Sequence, residues 1–308
     1  MADAIFNGVE AVANPQSYWN VIRKTAARST PLLKYLSASG KKKGKNATKG
    51  HAWYYMNSAR AGEDNAYAEG SKRADITTFP DVELKNQFQI FKKTSGITGT
   101  QNESMSVEEK KEDIKRQQEQ NEKQLRLDIE KALITESAPV PAAVQTDVRK
   151  MAGMKHYIPA NAKVDIANAA LSPKAHIDEA LGYMDDYGIT DYPLILMCGR
   201  DVFTDLNWMY DNQKLLAKDE RSIIARKNKI VTGWADDVTI VANRNFADNE
   251  IVIFAPELCD IVLLRQKKNA PCSDPEYDID ATESLFELTY QHLDPMAAFW
   301  LQNVGRTA

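Results

Sequence analysis

Cysteine is scarce in this chain. Its three residues, Cys198, Cys259 and Cys272, stand far apart with no Cys-x-x-Cys spacing, which argues against a disulfide framework or a zinc site and fits a reducing compartment. Long apolar runs are missing as well. No stretch reaches the roughly 18 consecutive apolar residues of a membrane span, and the start lacks a basic segment followed by an apolar one, so the expectation is a soluble, non-exported protein with no membrane contact. There is no basic excess: 39 Lys and Arg face 43 Asp and Glu, for a net charge of -4. The whole chain therefore lacks the electrostatic footprint of a free-standing nucleic-acid binder, and any DNA contact has to be local.

Motifs that carry chemistry are missing too. The sequence holds no phosphate-binding Gly-rich loop ending in Gly-Lys-Ser/Thr, no Gly-x-Ser-x-Gly and no His-Glu-x-x-His. Its four histidines, His51, His156, His176 and His292, are scattered, and none lies within four residues of a cysteine or another histidine. Acidic pairs such as Asp185-Asp186 and Asp236-Asp237 fit solvated loops better than general acid–base work. No catalytic residue, metal ligand or cofactor site is expected.

What is present begins with a globular composition, 43% hydrophobic and 27% charged, enough for a real core. The first 40 or so residues carry short amphipathic pieces broken by Pro15 and Pro31, which read as an arm. A basic turn follows, with Lys41, Lys42, Lys43, Lys45 and Lys49 interleaved with Gly40, Gly44 and Gly50. Aromatic, β-prone residues 51–56 come next, then a small and polar stretch at 57–81. Beyond it Val82, Leu84, Phe88 and Ile90 alternate with Glu83, Lys85, Gln87 and Gln89, the period-two pattern of a strand with one wet face. The two strands are expected to pair as a long hairpin. Such a ribbon has little apolar surface and is marginal alone in water, so it is expected to rest on another chain.

From Thr100 to Ala138 there is neither Gly nor Pro. Ser106 and Glu109 resemble a capping box, predicting a helix over about 106–136, on the order of 46 Å long at 1.5 Å per residue. Between Glu108 and Gln124 only Ile114 is apolar, whereas Leu125, Leu127, Ile129, Ala132, Leu133 and Ile134 crowd the second half. A helix polar on every face is held by i,i+4 pairs or by neighbours. From Ser172 onward the texture is α/β, with helices expected at 174–187 and 201–213 and strands at 194–198, 230–231, 238–241, 251–254, 260–265 and 285–290.

Two readings of the lysine cluster stand side by side. With Trp53, Tyr54 and Tyr55 nearby it has the make-up of a phosphate- and base-binding patch. It also fits acidic residues on a neighbouring subunit, such as those of the long helix. The second is preferred, because the aromatics look like strand residues. The candidate inter-subunit contacts are therefore Lys41, Lys42, Lys43, Lys45, Lys49, Trp53, Tyr54, Tyr67, Glu108, Glu109 and Glu112.

The order arm, long hairpin, long polar helix, α/β lobe and returning strands resembles the HK-ninety-seven-like fold of tailed-phage capsid subunits, encapsulins and herpesvirus shell floors. Several phrases resemble one group of phage major capsid proteins: RSTPLLKYL at 28–36, AGEDNAYAEGS at 61–71, FQIFKKTSGITGTQ at 88–101, RLDIEKALI at 126–134 and VRKMAGMKHYI at 148–158. Weaker echoes are IVIFAPELCDIVLLR at 251–265 and ELTYQHLDPMAAFWL at 287–301.

The resemblance implies an α+β fold with an N-terminal arm at 1–45, an extended hairpin loop at 46–98 and a peripheral domain with its spine helix at 99–170. An axial domain at 171–265 and returning peripheral strands at 266–308 complete it. It further implies a major capsid protein that assembles as hexamers and pentamers into a shell around double-stranded DNA, in the host bacterial cytoplasm. With only about 27 residues before Arg28, a separate scaffolding protein is expected, together with a portal and, as a further partner, a decoration protein; DNA meets the inner face. The alternatives are an encapsulin-like compartment and, in a different class, an enzyme with a site near Cys198 and His176 in the α/β lobe.

Overall fold

The computed structural model describes residues 30–40, 50–56, 69, 71–72, 81–104, 106–142, 144, 147–166, 173–206, 229–230, 235, 238–272 and 278–304. Two sheets carry the architecture. Four strands, β1 (Ser37–Gly40), β4 (Gln89–Thr98), β10 (Cys259–Pro271) and β11 (Ile279–His292), form one sheet in the order β1-β10-β11-β4. Six strands, β5 (Lys163–Asp165), β6 (Leu194–Cys198), β7 (Lys229–Ile230), β8 (Val238–Ala242), β9 (Ile251–Phe254) and β12 (Ala298–Gln302), form the other in the order β5-β12-β9-β6-β8-β7. The expected hairpin is present as an antiparallel ribbon of β2 (Gly50–Met56) and β3 (Asp81–Gln87).

The long helix spans Val107–Ile134, about 42 Å at 1.5 Å per residue. Only its C-terminal half enters the core, where Leu125, Ile129, Leu133 and Ile134 are buried. That half is fastened to β4 by Lys93 to Asp128, 3.2 Å apart, and the middle by Asn121, which donates to the Thr94 carbonyl at 3.0 Å. The polar half holds itself by pairs along the helix, Asp113 with Arg116 and Gln117, and Glu122 with Arg126. At the other end, a Cβ on Gly153 would lie 2.5 Å from the Leu133 carbonyl oxygen, so the glycine allows segment 151–158 to pass directly over the last helical turn.

Four features differ from the sequence expectation. Residues 30–36 are not a peripheral arm: the helix Pro31–Tyr35 buries Pro31, Leu32 and Leu33, with Leu36 beside them. The alternating pattern of 82–90 does not run through: Asn86 and Phe88 are buried, but Phe91 takes the inward position while Ile90 is exposed. The ladder breaks at Phe88, between β3 and β4, and the side-chain phase changes there. Strand β10 continues past Arg265 to Pro271, because β11 offers an antiparallel partner from Thr282 to His292, with register shifts around Arg265. Finally, β12 sits in the six-stranded sheet between β5 and β9, so the returning chain serves both sheets. The expected helix at 201–213 is described only for 200–206.

Candidate assembly interface

The base of the hairpin is pinned to its own subunit. Trp53 is buried and donates its indole N–H to the His292 carbonyl at 2.6 Å, with Tyr157 edge-on at 5.4 Å. His51 stacks on Trp53 and pairs with the Gln291 side chain at 3.1 Å. On the opposite strand, the buried Asn86 amide donates to the carbonyls of Ala152 and Tyr290 at 3.0 and 2.8 Å, while its oxygen accepts from Ala152 N at 2.8 Å. Tyr157 adds a bond to the Lys85 carbonyl at 2.8 Å. The Trp53 indole and both ends of the Asn86 amide are thus matched, as burial requires.

The outer part of the ribbon is different. Tyr54 is 64% exposed and Val82 37% exposed, and Asp81 and Glu83 are exposed as well. Both faces of the ribbon there meet water. A second exposed set lies in the turn after the long helix, where Val140, Val144 and Val148 are 45%, 57% and 73% exposed. Val140 and Lys150 exchange backbone bonds, and Asp147 accepts from Val144 N at 2.9 Å.

Of the residues picked out from sequence, Tyr54 and Glu108 are exposed. Trp53 is a correction: its ring and its N–H are occupied inside the subunit, so it anchors the hairpin instead of meeting a neighbour. Lys41, Lys42, Lys43, Lys45, Lys49 and Tyr67 lie outside the described residues, while Glu109 and Glu112 fall on the long helix with no side-chain environment described. The pinning residue Asn86 and the three valines were missed. An asparagine amid an alternating strand gives no sign of burial in the sequence, and three valines spaced by four read as ordinary apolar residues.

Buried charge holds the rest. Glu287, on β11, is 3% exposed and receives Arg149 at 2.8 Å on one oxygen and Arg265 on the other. Lys155 pairs with Glu250 at 2.5 Å and lies over the rings of Trp300 and Phe246 at 4.6 and 4.9 Å. Around the previously suspected Cys198, burial pushes the thiol up to about 12, which leaves no thiolate for nucleophilic chemistry. His176 is buried with Glu179 at 3.8 Å. Among the described residues no three His, Cys, Asp or Glu side chains gather as a metal site, and no helix is long and apolar enough to cross a membrane.

A family model described as SU10 major capsid protein matches residues 4–305. The chain belongs to that family. It is thus a major capsid protein, a component of the virion shell that assembles from copies of itself, and the fold is HK-ninety-seven-like. Solved structures agree on the fold. The capsid subunit of cyanophage A-1(L) superposes with a TM-score of 0.62 at 12% identity, covering 91% of this chain and 94% of that one. Cyanophage P-SCSP1u gives 0.56 at 10% identity, covering 88% and 87%, and Mycobacterium phage Che8 gives 0.53 at 11%, covering 84% and 86%. No curated protein sequence matches. Neither the encapsulin-like nor the enzymatic alternative gains support from the family or from the geometry of this capsid subunit.

Proposed function

We propose that the subunit joins into hexamers and pentamers chiefly through its extended hairpin and the exposed valine turn, and that these rings close the shell. The observation that carries this reading is the contrast within the hairpin. Its base is fully bonded inside the subunit, while both faces of its outer part are exposed and gain burial only against a neighbour. The lysine cluster and Glu108, Glu109 and Glu112 are proposed to contribute charge pairs across the same interface. In this reading the four-stranded sheet and the long helix form the peripheral domain and the six-stranded sheet the axial one, with β5 and β12 lending strands to the latter.

The subunit acts as structural material and not as an enzyme, consistent with the raised Cys198 thiol. It assembles in the host cytoplasm on a separate scaffolding protein, is nucleated at a portal, and encloses double-stranded DNA on the inner face. A decoration protein on the outer face fits the phage G structure, described as major capsid proteins with decoration proteins. An assembly partner that sets size fits the P4 procapsid, described as including a size determination protein.

The test is deletion of residues 57–81, followed by electron microscopy and circular dichroism. A folded subunit that makes no shells supports the role of the hairpin, and wild-type-like shells overturn it.

A further inference from the structure

One buried carboxylate in this fold has no countercharge among the described residues. Glu130 lies on the inner half of the long helix and is 0% exposed. Its Oε1 accepts from Leu32 N at 2.9 Å and from Asn243 Nδ2 at 2.8 Å, and its Oε2 accepts from Leu33 N at 2.9 Å. Three elements thereby meet at one side chain: the short helix Pro31–Tyr35, which leads into β1 of the four-stranded sheet; the long helix; and the residue that directly follows β8 of the six-stranded sheet. Asn243 is itself fixed, its N–H donating to the Cys198 carbonyl at 3.0 Å.

The charged and titratable groups on these elements point elsewhere. Lys34 is exposed and sits over the Tyr35 ring at 5.1 Å, and Arg244 is exposed. On the long helix, Arg126 pairs with Glu122, Asp128 with Lys93, and Lys131 is exposed. Cys198 holds its proton. Among the described residues, Glu130 is therefore either ionised with three hydrogen bonds and no cation, or protonated on Oε2, the oxygen with the single donor.

We propose that Glu130 is a proton-controlled latch joining the arm-proximal helix and the two sheets, tightened by acidification and loosened toward neutral pH. Burial is the largest influence on the carboxyl and raises it to about 7, against the opposing pull of the Leu32, Leu33 and Asn243 donors. Once the short helix lifts away and water reaches the carboxylate, the group returns to its ordinary value of 4.5. The closed latch then holds a proton that the open one releases between these two values. Raising the pH through this window favours opening, and above it the effect is flat.

Hydrogen–deuterium exchange of residues 30–36 in the full-length subunit, corrected for intrinsic rates, tests this. The readout is the ratio of protection in wild type to that in Glu130→Gln, which keeps a carbonyl acceptor but cannot titrate. The ratio is expected to fall by about tenfold per pH unit between roughly pH 5 and 7 and to level off above. A ratio constant across that range overturns the latch. Should Glu130→Gln fail to fold, Asn243→Ala decides. Removing a donor to the ionised form must move the wild-type midpoint to higher pH, and an unmoved midpoint also overturns the proposal.

Discussion

The indole N–H of Trp53 and the carbonyl of His292, 239 positions apart in the chain, lie 2.6 Å from each other in the core. This single bond ties the base of the hairpin to the last residue of β11. Trp53→Phe keeps most of the packing but leaves a buried carbonyl without its donor. We expect a loss of about 1–3 kcal/mol in urea unfolding of the isolated subunit, with Trp53→Ala costing about 3–5 kcal/mol.

Glu287 accepts from two arginines that differ in exposure, Arg149 at 14% and Arg265 at 54%. Removing the carboxylate takes the buried acceptor away from Arg149 and breaks a buried ion pair, so Glu287→Ala is expected to destabilise by roughly 3–5 kcal/mol. Arg265→Ala takes away only the solvated partner and should cost less than about 1 kcal/mol. Equal losses for the two variants in chemical denaturation would refute this asymmetry.

Two buried groups give opposite pH slopes. Burial lowers His292 from 6.5 to about 4, so its contribution is complete above 6.5 and is lost as pH falls toward 4, where the unfolded chain takes up the proton. Glu130 is raised to about 7 from 4.5, so its contribution is complete below 4.5 and is lost as pH rises toward 7. Between 4.5 and 6.5 they nearly cancel. The urea midpoint of wild type should vary little there through these two groups. Glu130→Gln should make stability rise with pH across the window, and His292→Asn should make it fall.

The turn bearing Val140, Val144 and Val148 gives a prediction about assembly alone. Replacing all three by Ser should change subunit stability within about 0.5 kcal/mol per site, as at exposed positions generally. The sedimentation profile should nonetheless move from shells to free subunits or rings. Shells at wild-type yield would remove this turn from the interface.

Much of this fold could be read in advance wherever local preference and burial agree. The long helix emerged within two residues at either end because nothing in 100–138 interrupts it, and β6 and β9 matched residue for residue because each is a short apolar run buried on both faces. Legibility failed where long-range partners decide. The polar residues beyond Arg265 become strand only because β11 lies alongside, and the inward turn of Phe91 follows from the break at Phe88. Glu130 looked like one more charge in a helix full of them. Its role arises from Leu32, Leu33 and Asn243, which the fold brings to it from 98, 97 and 113 positions away.

Strand β11 is hydrogen-bonded along both edges, to β10 on one side and β4 on the other. A pull along its axis therefore loads the bonds of both ladders in parallel, in shear, and none can be opened singly from an end as a zipper is. Stress entering this sheet is shared across the subunit, and the weakest link of a strained lattice is expected at its seams, between neighbouring copies.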